Sequence, residues 1–599
     1  MNYENFATIH RNDIPEEFKW DLSLIYKTEK AWEEDFKKLD EYISEIQKLK
    51  GKLKNSPQNI AKVLDLEDNI SRIIENLSAF ARHKSDENSS NNKYLAMSGK
   101  ISTKAAEIDA KISWIDPEIL EIDEETLIKY SENPELKFYK KTIKDLIREK
   151  KHTLSKNEEK ILGLVSDSLS SSYETFNIIS NSDLKFPEIQ DENGTKRELT
   201  HSNFILFLRN QNRNVRKAAF ENFYSIYEQF KNTFASILDG TIKANVFEMK
   251  VRNFEDSLEA ALFDDKIPKS LYYNLIESVS ENLNLVYEYF RLRKEKLNLD
   301  ELHIYDTYHP IIECEDLKWS WNDAKKTVLE SLSPLGENYI KVAEKAFSEK
   351  WIDVLPNRGK KSGAYSGGSY DSPPYILLNF NGRMEDVFTL AHELGHSIHS
   401  YYSNKTQKYH YADYSIFLAE IASITSELLL HFYLLRNSQN ESLKKFLLNH
   451  IIDEFKATVV RQTMFAEFEL IIHQKREHGE PLTADLLCDE YYKLIQKYFG
   501  NNVICDKLIE LEWARIPHFH YGFYVYKYAT GFAAAAKFAN KIISGDSDAP
   551  GLYKNFISAG SSKDVIEILK DSDIDITDAS FINDSFRIFD ENVKEFFHN

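Results

Sequence analysis

Gly382-Arg383-Met384-Glu385-Asp386-Val387-Phe388-Thr389-Leu390-Ala391-His392-Glu393-Leu394-Gly395-His396-Ser397-Ile398-His399-Ser400-Tyr401-Tyr402-Ser403 is the stretch on which the reading of this chain turns. Asn381-Gly382 before it is a turn signal. Glu385 and Asp386 suit the first turn of a helix, and no proline interrupts 384–403, so the pattern predicts a helix. Residues four apart on a helix sit one above the other, so His392 and His396 project from one face and can share a divalent metal. Glu393, about 100° round the axis, can reach a water on that metal without being a ligand. This is the H-E-x-x-H arrangement, with the glutamate as general base.

A catalytic zinc takes three protein donors and keeps one position open. Downstream, Phe417-Leu418-Ala419-Glu420-Ile421-Ala422-Ser423-Ile424-Thr425-Ser426-Glu427 reads as a second helix, mostly apolar yet carrying two carboxylates. Glu420 and Glu427 are seven apart and share a face. Carboxylates on such a helix are costly to bury unless a charge or metal meets them. His392, His396 and Glu420 therefore form a donor set for one zinc ion per chain. Glu427 is placed to accept the other ring N–H of a ligand histidine. The plain alternative is two amphipathic helices whose acids face water.

Upstream the composition shifts. Gly359-Lys360-Lys361-Ser362-Gly363-Ala364-Tyr365-Ser366-Gly367-Gly368 reads as the most flexible stretch of the chain. Pro373-Pro374 follows, then Tyr375-Ile376-Leu377-Leu378-Asn379-Phe380, a strand candidate. A strand before a metal helix can hold an extended peptide along its free edge, and the glycine-rich run can close over it. Gly363, Ala364, Tyr365, Leu377 and Asn379 are the substrate-binding candidates. No G-K-[ST] ending opens a helix here, which excludes a phosphate loop. A surface loop beside a buried strand is the alternative.

Further on, His518-Phe519-His520-Tyr521-Gly522-Phe523-Tyr524-Val525-Tyr526-Lys527-Tyr528 packs two histidines and four tyrosines into eleven residues, too polar for a plain core helix. Helical spacing places Tyr521, Tyr524 and Tyr528 on one face. Amide hydrolysis develops an oxyanion, which phenol O–H or imidazolium donors can stabilise. His518, Tyr521 and Tyr528 are the candidates, with Tyr524 and His520 behind them. Aromatic packing in a core is the alternative.

The whole chain, at 599 residues, exceeds one comfortable core. Only 19 glycines and 14 prolines interrupt long runs of helix formers, which implies a mainly α fold. Ile60, Val63, Leu64, Ile70, Ile73 and Leu77 recur at helical spacing, and Asn193-Gly194 marks a short hairpin between 184 and 200. We expect an N-terminal helical lobe over 1–200 and a metallopeptidase catalytic domain over 201–599, with a small β-sheet beside the metal helix. The net charge of −20, without a basic stripe, argues against nucleic acid or an anionic membrane as partner. The first residues carry neither a basic nor an apolar leader pattern, and no run of about 18 uninterrupted apolar residues occurs. Cys314, Cys488 and Cys505 are sparse and far apart, as expected of reduced thiols in a cytoplasmic protein. A monomer or weak homo-oligomer acting on short peptides fits these properties.

His392-Glu393-Leu394-Gly395-His396, Ala419-Glu420-Ile421-Ala422-Ser423 and Pro517-His518-Phe519-His520-Tyr521 together resemble oligoendopeptidase F, a family related to thimet oligopeptidase. Lys19-Trp20-Asp21-Leu22, His152-Thr153-Leu154-Ser155, Asp306 after Tyr305 and Gly363-Ala364-Tyr365 extend the likeness over nearly the whole chain, while His520 and Gly522 depart from it. The resemblance implies a mainly α, two-lobed zinc oligopeptidase with a deep channel admitting short peptides. It also implies zinc at His392, His396 and Glu420, the base at Glu393, and transition-state donors near His518 and Tyr528. The expected reaction is hydrolysis of internal peptide bonds by metal-activated water, Glu393 moving the proton. A non-catalytic helical peptide-binding protein with a structural zinc is the main alternative, and closed four-ligand coordination would mark it. A di-iron protein would pair Glu393-x-x-His396 with Glu595-x-x-His598, which leaves His392 unexplained.

Overall fold

The computed structural model of the chain describes residues 3–312, 318–578 and 580–598. Cys314, Met1, Asn2 and the side chain of His598 lie outside what is described. The protein is 71% helical. Its strands, among the described residues, are short: β1 (Glu188–Gln190), β2 (Lys196–Glu198), β3 (Ile352–Asp353), β4 (Tyr365–Gly367) and β5 (Tyr375–Leu377). The backbone groups into two compact units that interleave along the chain. One comprises Met1–Lys151, Asp316–Asn437 and Ala535–Ile574, the other His152–Glu315, Ser438–Ala534 and Asp575–Asn599. Both units draw on residues from either side of position 200.

The first unit begins with the helices Glu29–Gln47, Pro57–Glu87 and Asn92–Ile112. Thr28, Ser56 and Asn91 cap them by accepting from the N–H groups of Ala31, Asn59 and Lys93. The stripe read from the sequence is buried: Ile60, Val63, Leu64, Ile70 and Leu77 are core residues, with Ile73 packed at their margin. Tyr375 and Leu377 join this core and seat a three-stranded sheet on it. Its order is β3-β5-β4, with β5 parallel to β3 and antiparallel to β4.

That order corrects one expectation. β5 is the central strand, and Leu377, with 0% exposure, is paired to Asp353 on one side and Tyr365 on the other. It has no free edge for a peptide. An apolar run such as Tyr375-Ile376-Leu377-Leu378 is what a strand covered on all sides requires. β4 is an outer strand instead.

The glycine-rich run is also tied down more than its composition suggests. Lys360 Nζ, buried, sits 2.7 Å from Asp353 Oδ1. Ser89 N–H donates to the Gly359 carbonyl at 2.7 Å, and Lys361 N–H donates to the Asp86 carbonyl at 3.0 Å. Tyr365 Oη donates to Asp86 at 2.7 Å. These bonds tie Gly359, Lys361 and Tyr365 to the C-terminal end of the helix Pro57–Glu87 and the residues just after it, and Lys360 to β3.

The helix Ile416–Asn437 is long and apolar enough to cross a membrane by length and composition, with mean hydropathy 1.4. It carries Glu420 and Glu427, and 67% of its apolar window is buried inside the protein, so packing accounts for its character.

The second unit is built on the 39-residue helix Arg213–Val251, with Lys156–Ile178, Arg461–Glu477 and Ala484–Phe499 among its neighbours. β1 and β2 form the expected hairpin, turning at Gly194 with φ +76°. Buried polar clusters fix the unit. Asp306 takes bonds from Arg213 and Arg216, and Glu512 from Arg461 (2.6 Å), Tyr491 (2.7 Å) and Arg515 (3.1 Å). Burial opposes ionisation of Glu512, but its arginines prevail and hold its pKa at about 2. His152 stacks on Phe254 at 3.8 Å, and its Nδ1–H donates to the Arg252 carbonyl. Cys488 is buried and Cys505 half-buried, both as free thiols.

Candidate active site

The HExxH stretch folds as the helix Met384–Thr406. Gly382, at φ +82°, makes the entry turn. The Asp386 carboxylate then accepts from the N–H groups of Asn381 (2.8 Å) and Arg383 (2.9 Å), closing the helix start. The helix packs against Ile416–Asn437. Gly395 permits the close approach: a Cβ there would lie 2.9 Å from both the Ala422 carbonyl oxygen and the Ser423 Cα.

This crossing brings the three expected donors together. His392 Nε2 and His396 Nε2 are 3.1 Å apart, and Glu420 Oε2 lies 3.8 Å from the first and 4.0 Å from the second. Metal–donor bonds of about 2.0–2.2 Å in a tetrahedron put neighbouring donors about 3.3 Å apart. The side chains fit one such ion after small rotations. Among the described residues this is the one set of three or more metal-type donors so clustered.

The surroundings prepare these donors. Glu427 Oε1 accepts from His392 Nδ1 at 2.6 Å, which leaves Nε2 for a metal. His396 is bonded to the Ala419 carbonyl. Burial pulls His392 down, but the Glu427 bond and charge, with Glu393 and Glu420, lift it to about 9. Burial, and then the charge of His392, drops His396 to about 3. Glu393, 7% exposed, is pushed up to about 7 by burial, opposed by His392 and reinforced by Glu420 and Glu427.

Two neighbours escape the sequence reading. Ser366 on β4 bonds Glu393 through its backbone, and its Oγ meets Ser397 Oγ of the HExxH helix at 2.7 Å. Tyr414 Oη lies 2.7 Å from Ser400 Oγ, and its ring stacks on His399 at 3.6 Å. Neither residue belongs to a motif; contact across the fold is the only signal. Of the other candidates, Gly363, Ala364 and Asn379 line a recess of about 190 Å³ with Leu378, Phe380, Asp386 and Thr389. Asn379 Nδ2 donates to the carbonyls of Lys361 (2.9 Å) and Gly363 (2.8 Å). Tyr365 turns its phenol to Asp86, so its main chain is the part that borders the site.

The His–Tyr segment belongs to the second unit and is not one helix. A single 3-10 turn, Pro517–His520, is followed by irregular chain and then by the helix Tyr526–Ile543. Gly522 (φ +65°) and Phe523 (φ +53°) break the spiral, so Tyr521, Tyr524 and Tyr528 share no helical face. The rings gather nonetheless. His518 Nε2 and Tyr528 Oη are 3.2 Å apart, and the Tyr524 ring lies 5.5 Å from that of Tyr528. Tyr521, 46% exposed, pairs its hydroxyl with Tyr173 at 3.2 Å. His520 turns away to Thr241 Oγ1 at 2.7 Å and packs on Phe176.

Comparison with known proteins places the chain in a family. Residues 206–588 match Peptidase family M3 and residues 118–186 match Oligopeptidase F. The chain is 41% identical to oligopeptidase PepF of Bacillus subtilis over 98% of its own length and 88% of that protein's. It is 37% identical to the group B oligopeptidase PepB of Streptococcus agalactiae, over 98% of both. The crystal structure of oligoendopeptidase-F from Enterococcus faecium superposes with a TM-score of 0.73 at 34% identity, covering 95% of this chain and 98% of that one. With its H-E-x-x-H helix and converging His–His–Glu donors, the chain belongs to Peptidase family M3 as a homologue of oligoendopeptidase F, and is a metalloendopeptidase.

Proposed function

We propose that the protein is a zinc endopeptidase cutting internal bonds of short oligopeptides, with His392, His396 and Glu420 as the zinc ligands. The observation that carries this reading is the triangle of 3.1, 3.8 and 4.0 Å between their donor atoms, with Glu393 beside it. Zinc held there supplies Lewis-acid polarisation of carbonyl and water. The rest is the work of the chain. Glu427 fixes the tautomer of His392. The Glu393 carboxylate accepts a proton from water and returns it to the leaving amine nitrogen. β4 offers its outer main chain to an extended peptide, and the recess at Gly363, Ala364 and Asn379 receives a side chain. His518 and Tyr528, paired to each other, donate to the oxyanion, with Tyr521 at their margin.

We also propose that residues 201–599 carry the chemistry and 1–200 a helical lobe, and that the protein works in the cytoplasm as a monomer or weak homo-oligomer. The test of the core reading is Glu393→Gln. Zinc content should stay near one per chain by elemental analysis, while kcat on a quenched-fluorescent peptide falls about 10²–10⁴-fold. Near-normal turnover of the metal-loaded variant would refute the base.

A further inference from the structure

The helix Arg461–Glu477 buries a carboxylic acid that the proposed chemistry does not use. Glu469 has 0% exposure, and its Oε2 has no hydrogen-bond partner. An apolar side chain at such a position avoids the cost of stripping water from a carboxyl. The other oxygen, Oε1, accepts from the Phe523 N–H at 2.6 Å. Phe523 is in the left-handed region at φ +53°, directly after Gly522 at +65°. A bulky residue holds that conformation only where its surroundings impose it.

The surroundings do so here from two sides. The Phe523 ring, 3% exposed, packs on His473 at 4.4 Å and edge-on to Tyr272 at 5.6 Å. His473, neutral because burial lowers it to about 4, donates from Nδ1 to the Glu469 carbonyl (2.8 Å) and accepts at Nε2 from Asn245 Nδ2 (3.1 Å). The turn thus locked lies midway between His518 and Tyr528, whose side chains meet at 3.2 Å.

We infer that Glu469 is a positioning residue: its buried carboxyl latches the left-handed Gly522–Phe523 turn and so sets the donor geometry of His518 and Tyr528. The inference rests on the oxyanion role proposed for those two residues. Releasing the latch moves the donors without touching the metal centre. Shifts of about 1 Å at reacting groups cost up to roughly a hundredfold in rate.

The test compares Glu469→Leu and Glu469→Gln by steady-state kinetics on a short quenched-fluorescent peptide, with zinc per chain measured alongside. Glu469→Leu should lower kcat about tenfold to a hundredfold, with KM within about twofold and zinc unchanged. Glu469→Gln, whose amide oxygen still accepts from Phe523 N–H, should restore kcat to within about threefold. An unchanged kcat in Glu469→Leu, or Glu469→Gln as impaired as the leucine variant, overturns the latch. If Glu469→Leu does not fold, Glu469→Met is read instead. It nearly keeps the side-chain length but removes the carboxyl that accepts from the Phe523 N–H, and a wild-type kcat there refutes the inference. His518→Gln and Tyr528→Phe run in parallel. Full kcat in both sinks the oxyanion reading itself, whereas loss in these two without loss in Glu469→Leu or Glu469→Met sinks only the latch.

Discussion

His392 faces two demands, one at each ring nitrogen. Nδ1 is held by Glu427 at 2.6 Å, while Nε2 points at His396 and Glu420. Glu427→Ala should therefore keep the fold but weaken metal binding about tenfold to a hundredfold, measured by competition with a chelating dye. Without metal, His392 keeps its proton up to about pH 9, and an incoming ion must displace it. Affinity should then fall as pH drops below 9, by up to about tenfold per unit. Proton release in calorimetry, repeated in buffers of different ionisation heat, reads this directly; affinity that stays flat between pH 6 and 8 contradicts it. The donors themselves are legible in the sequence because four- and seven-residue spacings are properties of one helix. Ser366 and Glu469 are not, since they act on Glu393 and Phe523 from other elements.

Between elements, what matters is how close two helices can come. Gly395 faces the Ala422 carbonyl and Ser423, and this clearance lets Glu420 reach the histidines. Gly395→Ala should cost about 1–3 kcal/mol through overpacking, seen as a lower urea midpoint, and should also weaken metal binding by spreading the pair. A variant with wild-type stability and affinity would show that the helices can slide apart freely. The sheet and the His–Tyr segment mark the limits of sequence patterns. An apolar run announces a strand but not its neighbours, so β5 reads as an edge although β3 and β4 flank it. Period counting through Tyr521, Tyr524 and Tyr528 assumes helical backbone that Gly522 and Phe523 do not adopt.

Over the molecule, mainly α architecture follows from few breakers and long helix-forming runs, whereas the interleaving of the units leaves no mark on composition. The first unit is secured by a buried charge cluster. Asp353, 1% exposed, meets Lys360 at 2.7 Å and is bonded by Arg11. Burial would raise this carboxyl, yet Lys360 and Arg11 hold it below its ordinary range. The stability it gives is present above that range and is lost as pH falls through its folded pKa. Asp353→Ala, which strands two cations, should cost about 3–5 kcal/mol in chemical denaturation; a shift under about 1 kcal/mol would show the cluster to be dispensable.

The last stretch of the first unit, Ala535–Ile574, brings Tyr553, whose hydroxyl donates to the Ala422 carbonyl at 3.2 Å behind the metal-binding pair. During synthesis, then, the helices bearing His392 and Glu420 leave the ribosome well before their backing does.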